Sequence, residues 1–160
     1  MKKILVTGNQ GYIGSILMNE LIQKEFQPIG FDIGYFKNCI LSKIKEDFVQ
    51  INKDIREITK QDLKDINMVI HLSGLSNDPL GEFDKKITKE INFEATIKLA
   101  KLSKENGIER FIYASSQSMY GISNSFNELD EYDSEKNPVT EYAKTKWDAE
   151  IELNKLNSED

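Results

Sequence analysis

The chain has 160 residues, the size of one compact domain, and a chain of about 150 residues hides roughly 70% of its unfolded surface, enough for a core without staples. Apolar residues make up 39% and charged residues 30%, and 21 Lys and Arg against 27 Asp and Glu leave a net charge of −6. This balance argues against disorder and, with no basic stripe, against nucleic acid as a partner. A lone cysteine, Cys39, and a lone histidine, His71, exclude a disulfide framework and a multi-histidine metal site, so no metal is expected. No segment approaches the ~20 apolar residues of a membrane helix, and the apolar run in MKKILVTG is too short for a signal peptide. A cytoplasmic protein with no membrane partner is the expectation.

Short apolar runs alternate with amphipathic stretches, the pattern of a parallel sheet with crossover helices. Lys3 to Thr7 reads as a first strand that breaks at Gly8. Ile13, Ile16, Leu17 and Leu21 then recur at helical spacing over Tyr12 to Lys24 and mark the expected buried face. Pro28 to Asp32 is a second strand, with proline at its first residue. Residues 34–46 have no clear period and read as a loop or broken helix. A third strand around Phe48, Val49 and Ile51 ends near Asp54, and Met68 to Leu72 forms a buried fourth. Ile87 to Asn106 predicts one helix with Ile91, Ala95, Leu99 and Leu102 on its stripe, closed by Gly107. Arg110 to Ala114 is a fifth strand, residues 121–138 a polar loop, and Thr140 opens a last helix to about Leu156. The fold class is therefore α/β, a Rossmann-like doubly wound parallel sheet. Residues 1–160 read as one dinucleotide-binding domain, the N-terminal part of a longer chain that stops before the last strand of the 3-2-1-4-5-6 order.

TGNQGYIG, Thr7 to Gly14, joins the first strand to the first helix. Gly8 permits the tight turn, Gly11 lets the backbone approach a pyrophosphate, and Gly14 lets the helix close on the sheet. The helix N-terminus offers unpaired N–H groups and partial positive charge to the phosphates. Asp32, 18 residues past Gly14, stands where an acid accepts the ribose hydroxyls of NAD and repels the 2′-phosphate of NADP. No Arg or Lys adjoins it in sequence. Gly-rich turns and loop aspartates without a ligand are the plainer readings of each piece taken alone.

YAKTK places Tyr142 and Lys146 four residues apart on one helix face that continues through Ala149, Leu153 and Leu156. A free tyrosine has a pKa near 10, and a neighbouring ammonium brings its phenolate toward working pH. A surface tyrosine with a solvated lysine is the alternative. ASSQSMYG, Ala114 to Gly121, follows the fifth strand, at the end of the sheet where doubly wound folds bind ligands. Ser115, Ser116 and Ser118 are placed there, as ligand contacts or as an ordinary polar turn.

Taken in order, TGNQGYIG, Asp32, DIRE from Asp54, HLSG from His71, Asn92, SSQSMYG and YAKTK resemble the NAD-dependent epimerase/dehydratase family of the extended short-chain dehydrogenase/reductase superfamily, over essentially the whole chain. The functional relatives it is similar to are nucleotide-sugar enzymes such as the UDP-galactose 4-epimerases and the nucleotide-sugar dehydratases. The resemblance implies NAD as cofactor and a nucleotide sugar as substrate. It gives the pyrophosphate to Gly8, Gln10, Gly11, Tyr12, Ile13 and Gly14, the ribose to Asp32, and the adenine border to Asp54 and Ile55. Leu72, Ser73 and Gly74 would line the middle of the dinucleotide, with Ser115 beside it. Ser116 matches the family's catalytic Ser/Thr, Tyr142 its base, and Lys146 the lysine that holds the nicotinamide ribose and tunes the tyrosine. His71 takes a structural part, and relatives that pair through the YxxxK helix leave a homodimer open.

The chain departs from the 4,6-dehydratases, which carry an Asp–Glu pair where it has Gln117 and Ser118. An epimerase is the leading expectation, with a reductase, a dehydratase or a dinucleotide-binding module without chemistry as alternatives.

Overall fold

The computed structural model describes residues 1–40, 48–122, 128–132 and 134–157. Five parallel strands, β1 (Lys3–Thr7), β2 (Gln27–Asp32), β3 (Val49–Asn52), β4 (Met68–His71) and β5 (Arg110–Tyr113), lie in the order β3-β2-β1-β4-β5. The chain leaves β1 on one side for β2 and β3, then returns to pair β4 on the other side of β1. That reversal opens a crevice at the C-terminal ends of β1 and β4, the place where doubly wound sheets bind ligands. Thr7 and His71 are register partners there, and Leu72 N–H donates to Thr7 O at 3.1 Å.

The central strands β1 and β4 are apolar runs because helices cover both faces, while the edge strands β3 and β5 stay partly exposed. On one face Leu5, Phe31 and Val69 pack with Ile55, Ile58 and Leu63 and with Ala95 and Leu99 of α4 (Ala95–Glu105). On the other, Ile4 and Val6 meet Met18 and Leu21 of α1 (Tyr12–Gln23). The expected face of α1 needs correction. Gly14, Ser15, Met18 and Leu21 are buried, whereas Ile13 is 60% and Ile16 41% exposed. The turn dictates this rotation, because Gly14 must lie against Gly8 and Asn9, and Met18 and Leu21 follow it at spacings of four and three.

The single helix expected over 87–106 is also revised. It starts earlier, as α3 (Lys85–Lys89), passes through a π-helical segment at Glu90–Glu94, and continues as α4. Within the π segment Asn92 is buried and turned aside, its amide accepting from Leu75 N–H at 2.8 Å and donating to Leu75 O at 3.1 Å. A further helix, α2 (Asp78–Phe83), and 3-10 turns at Ile55–Glu57, Lys60–Leu63 and Gln117–Tyr120 were not expected. Gly107, at φ +67°, ends α4 as expected. The last helix, α5 (Glu141–Leu156), is capped by Thr140, whose Oγ1 accepts from Ala143 N–H at 3.2 Å. Residues 34–40, and the described part of 121–138, hold no helix of four or more residues and no strand; 41–47, 123–127 and 133 lie outside the described residues.

Candidate active site

The turn after β1 is built around glycines that cannot be replaced without moving backbone. Gly8 sits at φ +72°, and a Cβ on it would stand 2.8 Å from the Leu72 carbonyl carbon and from Ser73 N. A Cβ on Gly14 would meet Gly8 O at 2.3 Å and Asn9 Cα at 2.6 Å, so only glycine lets α1 begin this close to the strand. Gly11 is the N-cap of α1 and has no side chain to cap it, and the first turn carries no acid. The caps of α2, α3 and α5 are by contrast filled by Asn77, Asp84 and Thr140. The first-turn N–H groups of α1 are thus left for an anion in the crevice. Tyr12 and Ile13 stand exposed beside them.

Asp32 closes β2 beside this turn. One carboxylate oxygen accepts from Gln10 N–H at 3.1 Å and the other from Gly34 N–H at 2.8 Å. The aspartate therefore fixes the turn as well as presenting charge, and each oxygen keeps a lone pair for a ribose hydroxyl. Gln10 Oε1 is buried with no partner among the described residues, an acceptor directed at Gly34 and a mark of a site that receives a donor. Sequence order hid one neighbour: the Lys37 chain folds back beside Gly34, though it forms no ion pair with Asp32 among the described residues. A dinucleotide fits these residues. The uncapped helix end suits its pyrophosphate and the Asp32 carboxylate suits its ribose.

Asp54 caps the first 3-10 turn, accepting from Arg56 N–H at 2.9 Å and pairing with its guanidinium at 2.7 Å. The Arg56 hydrogen bonds hold its carboxyl below the usual carboxylate range against the opposing effect of burial. Ile55 points into the core, so what it can offer an adenine is its backbone. Leu72, Ser73 and Gly74 continue β4 past the crevice, with Ser73 N–H donating to Thr7 Oγ1 at 3.3 Å. His71 lies beneath them, fully buried between Thr7 Oγ1 at 2.6 Å and Thr96 Oγ1 at 2.8 Å. Burial, with the Lys146 charge nearby, lowers its pKa to about 3, so the ring is neutral and structural.

Lys146 is only 6% exposed. Its ammonium donates to Ala114 O, at the end of β5, at 2.9 Å and lies 3.9 Å from the point where a Gly74 Cβ would stand. Burial lowers its pKa to about 8. α5 thus lays this lysine across the ends of β4 and β5, one turn along from Tyr142. The buried residues of α5 are Ala143, Thr145, Lys146 and Ala149, with Tyr142 and Leu153 half-buried.

Ser116 is the N-cap of the turn Gln117–Tyr120, its Oγ accepting from Ser118 N–H at 3.2 Å and keeping its own proton to donate. Ser115 is exposed and donates to Glu150 of α5 at 2.6 Å.

The residues that seat Tyr142 were invisible in the sequence. Gly81 of α2 approaches so closely that a Cβ on it would stand 3.1 Å from Tyr142 Cβ. Glu82 accepts from Glu141 N–H at 2.6 Å, and Thr140 donates to Asp78 at 2.6 Å. Together these clamp the start of α5 to α2. The available signal was SNDPLG, Ser76 to Gly81, which has the Asn cap and early Pro of a short helix.

Among the described residues no group of three or more His, Cys, Asp or Glu is placed to hold a metal, and no helix is long and apolar enough to cross a membrane.

A family model described as the NAD dependent epimerase/dehydratase family matches residues 4–160. A putative UDP-glucose 4-epimerase of Methanocaldococcus jannaschii is 30% identical over 148 residues, covering 90% of this chain and 47% of its own. Among solved structures, MoeE5 in complex with UDP-glucose and NAD superimposes with a TM-score of 0.82 at 27% identity, over 96% of this chain and 48% of that one. A UDP-N-acetylglucosamine 4-epimerase from Methanobrevibacter ruminantium, in complex with UDP-N-acetylmuramic acid, gives 0.86 at 26% identity over 97% and 50%. The chain spans about half the length of these relatives. With a family model matched almost end to end, the chain belongs to the NAD-dependent epimerase/dehydratase family.

Proposed function

We propose that residues 1–160 form the NAD-binding domain of a nucleotide-sugar epimerase, with Ser116, Tyr142 and Lys146 as its catalytic set. The observation that carries the reading is the buried Lys146 ammonium, held at Ala114 O between the ends of β4 and β5 and one helical turn from Tyr142. A charge kept there at the cost of desolvation calls for a use.

The turn Gly8–Gly14, with Gln10, Gly11, Tyr12 and Ile13, holds the pyrophosphate on the α1 N-terminus. Asp32 accepts the adenosine ribose hydroxyls, Asp54 and the Ile55 backbone border the adenine, and Leu72, Ser73, Gly74 and Ser115 line the remainder. Bound in this crevice, NAD supplies a reversible hydride acceptor. Lys146 holds the nicotinamide ribose, and its charge favours the Tyr142 phenolate. Tyr142 takes the proton of a sugar hydroxyl, and Ser116 donates a hydrogen bond to the same oxygen. Epimerisation then requires the oxidised sugar to present its other face before Tyr142 returns the proton. Gln117 and Ser118 stand where 4,6-dehydratases have acids, which disfavours elimination of water.

The test is turnover of a UDP-sugar panel by the full-length protein, read by NMR of the sugar and by NADH absorbance. Epimerisation without net NADH, abolished in Tyr142→Phe with NAD binding retained, supports the reading. Wild-type-like turnover in Tyr142→Phe sinks it, and a net change in NADH would make the enzyme an NAD-linked reductase.

A further inference from the structure

We infer that Tyr113 is a positioning residue of the site: the face of its ring holds the Lys146 ammonium in place at the end of β5. The inference rests on the role proposed above for Lys146. Lys146 Nζ lies 4.7 Å from the Tyr113 ring centroid. Among the described residues the ammonium takes part in no ion pair, and its one hydrogen bond within the chain goes to the neutral Ala114 O. A buried cation without a carboxylate needs another source of negative potential, and an aromatic face provides one.

The ring is itself fixed. It stacks on His71 at 5.9 Å between centroids and 23° between planes, and His71 is pinned by Thr7 and Thr96. A chain of contacts therefore runs from the buried ends of β1 and β4 through two rings to the ammonium. The Tyr113 hydroxyl is buried with no partner among the described residues, so what this side chain offers is its face and not its polar end. The titratable groups around the pair are His71, neutral, on β4, and Tyr142 and Glu150 on α5. Glu150 is engaged by Ser115, and the α4 side presents the uncharged Asn92 and Thr96. Loss of the ring's negative face leaves desolvation unopposed, so Lys146 gives up its proton at a lower pH.

The experiment titrates the Lys146 side chain by NMR in this chain, with Tyr113 replaced by Phe, by Phe bearing successively more ring fluorines, and by Leu. Fluorination weakens the negative face without changing the shape of the ring, so these variants fold even if Tyr113→Leu does not. Phe should leave the midpoint within about 0.3 pH unit, and full fluorination should lower it by about one unit, a tenfold loss in proton affinity. A midpoint that stays level or rises along the fluorine series overturns the inference. In the full-length enzyme the basic limb of the pH–rate profile should move down in the same order. A moving Lys146 midpoint with a fixed limb supports the ring contact and refutes the catalytic part given to Lys146.

Discussion

Replacing Lys146 by methionine should stabilise the folded chain at pH 7, and by less as the pH rises. The lysine is 6% exposed, and burial takes its pKa from the ordinary 10.5 to about 8. Keeping it charged in the folded state then costs about 3 kcal/mol at pH 7. Between pH 8 and 10.5 the unfolded chain binds a proton that the folded chain has already released. Wild-type stability therefore rises with pH across that window, and by pH 9.5 the cost has fallen to about 1.4 kcal/mol. Methionine has similar length and no charge, so the variant escapes this cost at either pH. It does leave Ala114 O without a donor, at about 1–3 kcal/mol, a loss that does not depend on pH. The stability of the variant relative to wild type should thus fall by about 2 kcal/mol from pH 7 to 9.5, or roughly 4–8 °C in a domain of this size. Thermal unfolding of both proteins at both pH values reads it. Parallel pH dependences would refute the reasoning, since the lysine would then titrate normally in the fold.

Three further outcomes follow from the structure. Gly14→Ala places a Cβ 2.3 Å from Gly8 O, so overpacking of about 1–3 kcal/mol should outweigh the roughly 1 kcal/mol gained in helix propensity, and NAD binding should weaken with it. Gly107→Ala, strained by its φ of +67° but facing open space, should lose stability by unfolding assay while keeping NAD affinity; equal NAD losses in the two variants would count against a phosphate-binding turn. In acid, His71 is held unprotonated to about pH 3 while its unfolded value is 6.5, so stability is full above 6.5 and is lost as the pH falls. The loss should reach about 2 kcal/mol by pH 5. His71 is the only histidine in the sequence, so denaturant melts at pH 7 and 5 on wild type and His71→Gln isolate it, and an undiminished loss in the variant would contradict the assignment.

The strands were legible because each is a short apolar run ended by Gly, Asp or a polar turn, and their order follows from the crossover pattern. The glycine turn, Asp32 and the Tyr142–Lys146 pair were legible because each depends on residue type at fixed spacing. The face of α1 was misread since periodicity alone favoured Ile13 and Ile16; the close contact of Gly14 with the preceding turn, a tertiary constraint, rotates the helix instead. The helix break at Asn92 was hidden because its cause is a pair of side-chain bonds to Leu75, 17 residues away. Gly81, Glu82 and Asp78 could not be linked to Tyr142 from the sequence, since α2 and α5 meet only in space. Tyr113 read as one more aromatic strand residue, and its contact with Lys146 depends on how α5 lies across β5. No basic residue adjoins Asp32 in sequence, and Lys37 comes beside Gly34 only through the turn of the chain there.

Thermal unfolding of this chain with saturating NAD, and separately with NADP, reads whether the crevice between β1 and β4 is an NAD site. A ligand at 100 times its Kd adds about 2.7 kcal/mol, roughly 5–11 °C here. A rise of that size is expected with NAD and a much smaller one with NADP, because the role proposed for Asp32 puts its carboxylate where a 2′-phosphate would be repelled. No rise with either, or a larger one with NADP through Lys37, would contradict it.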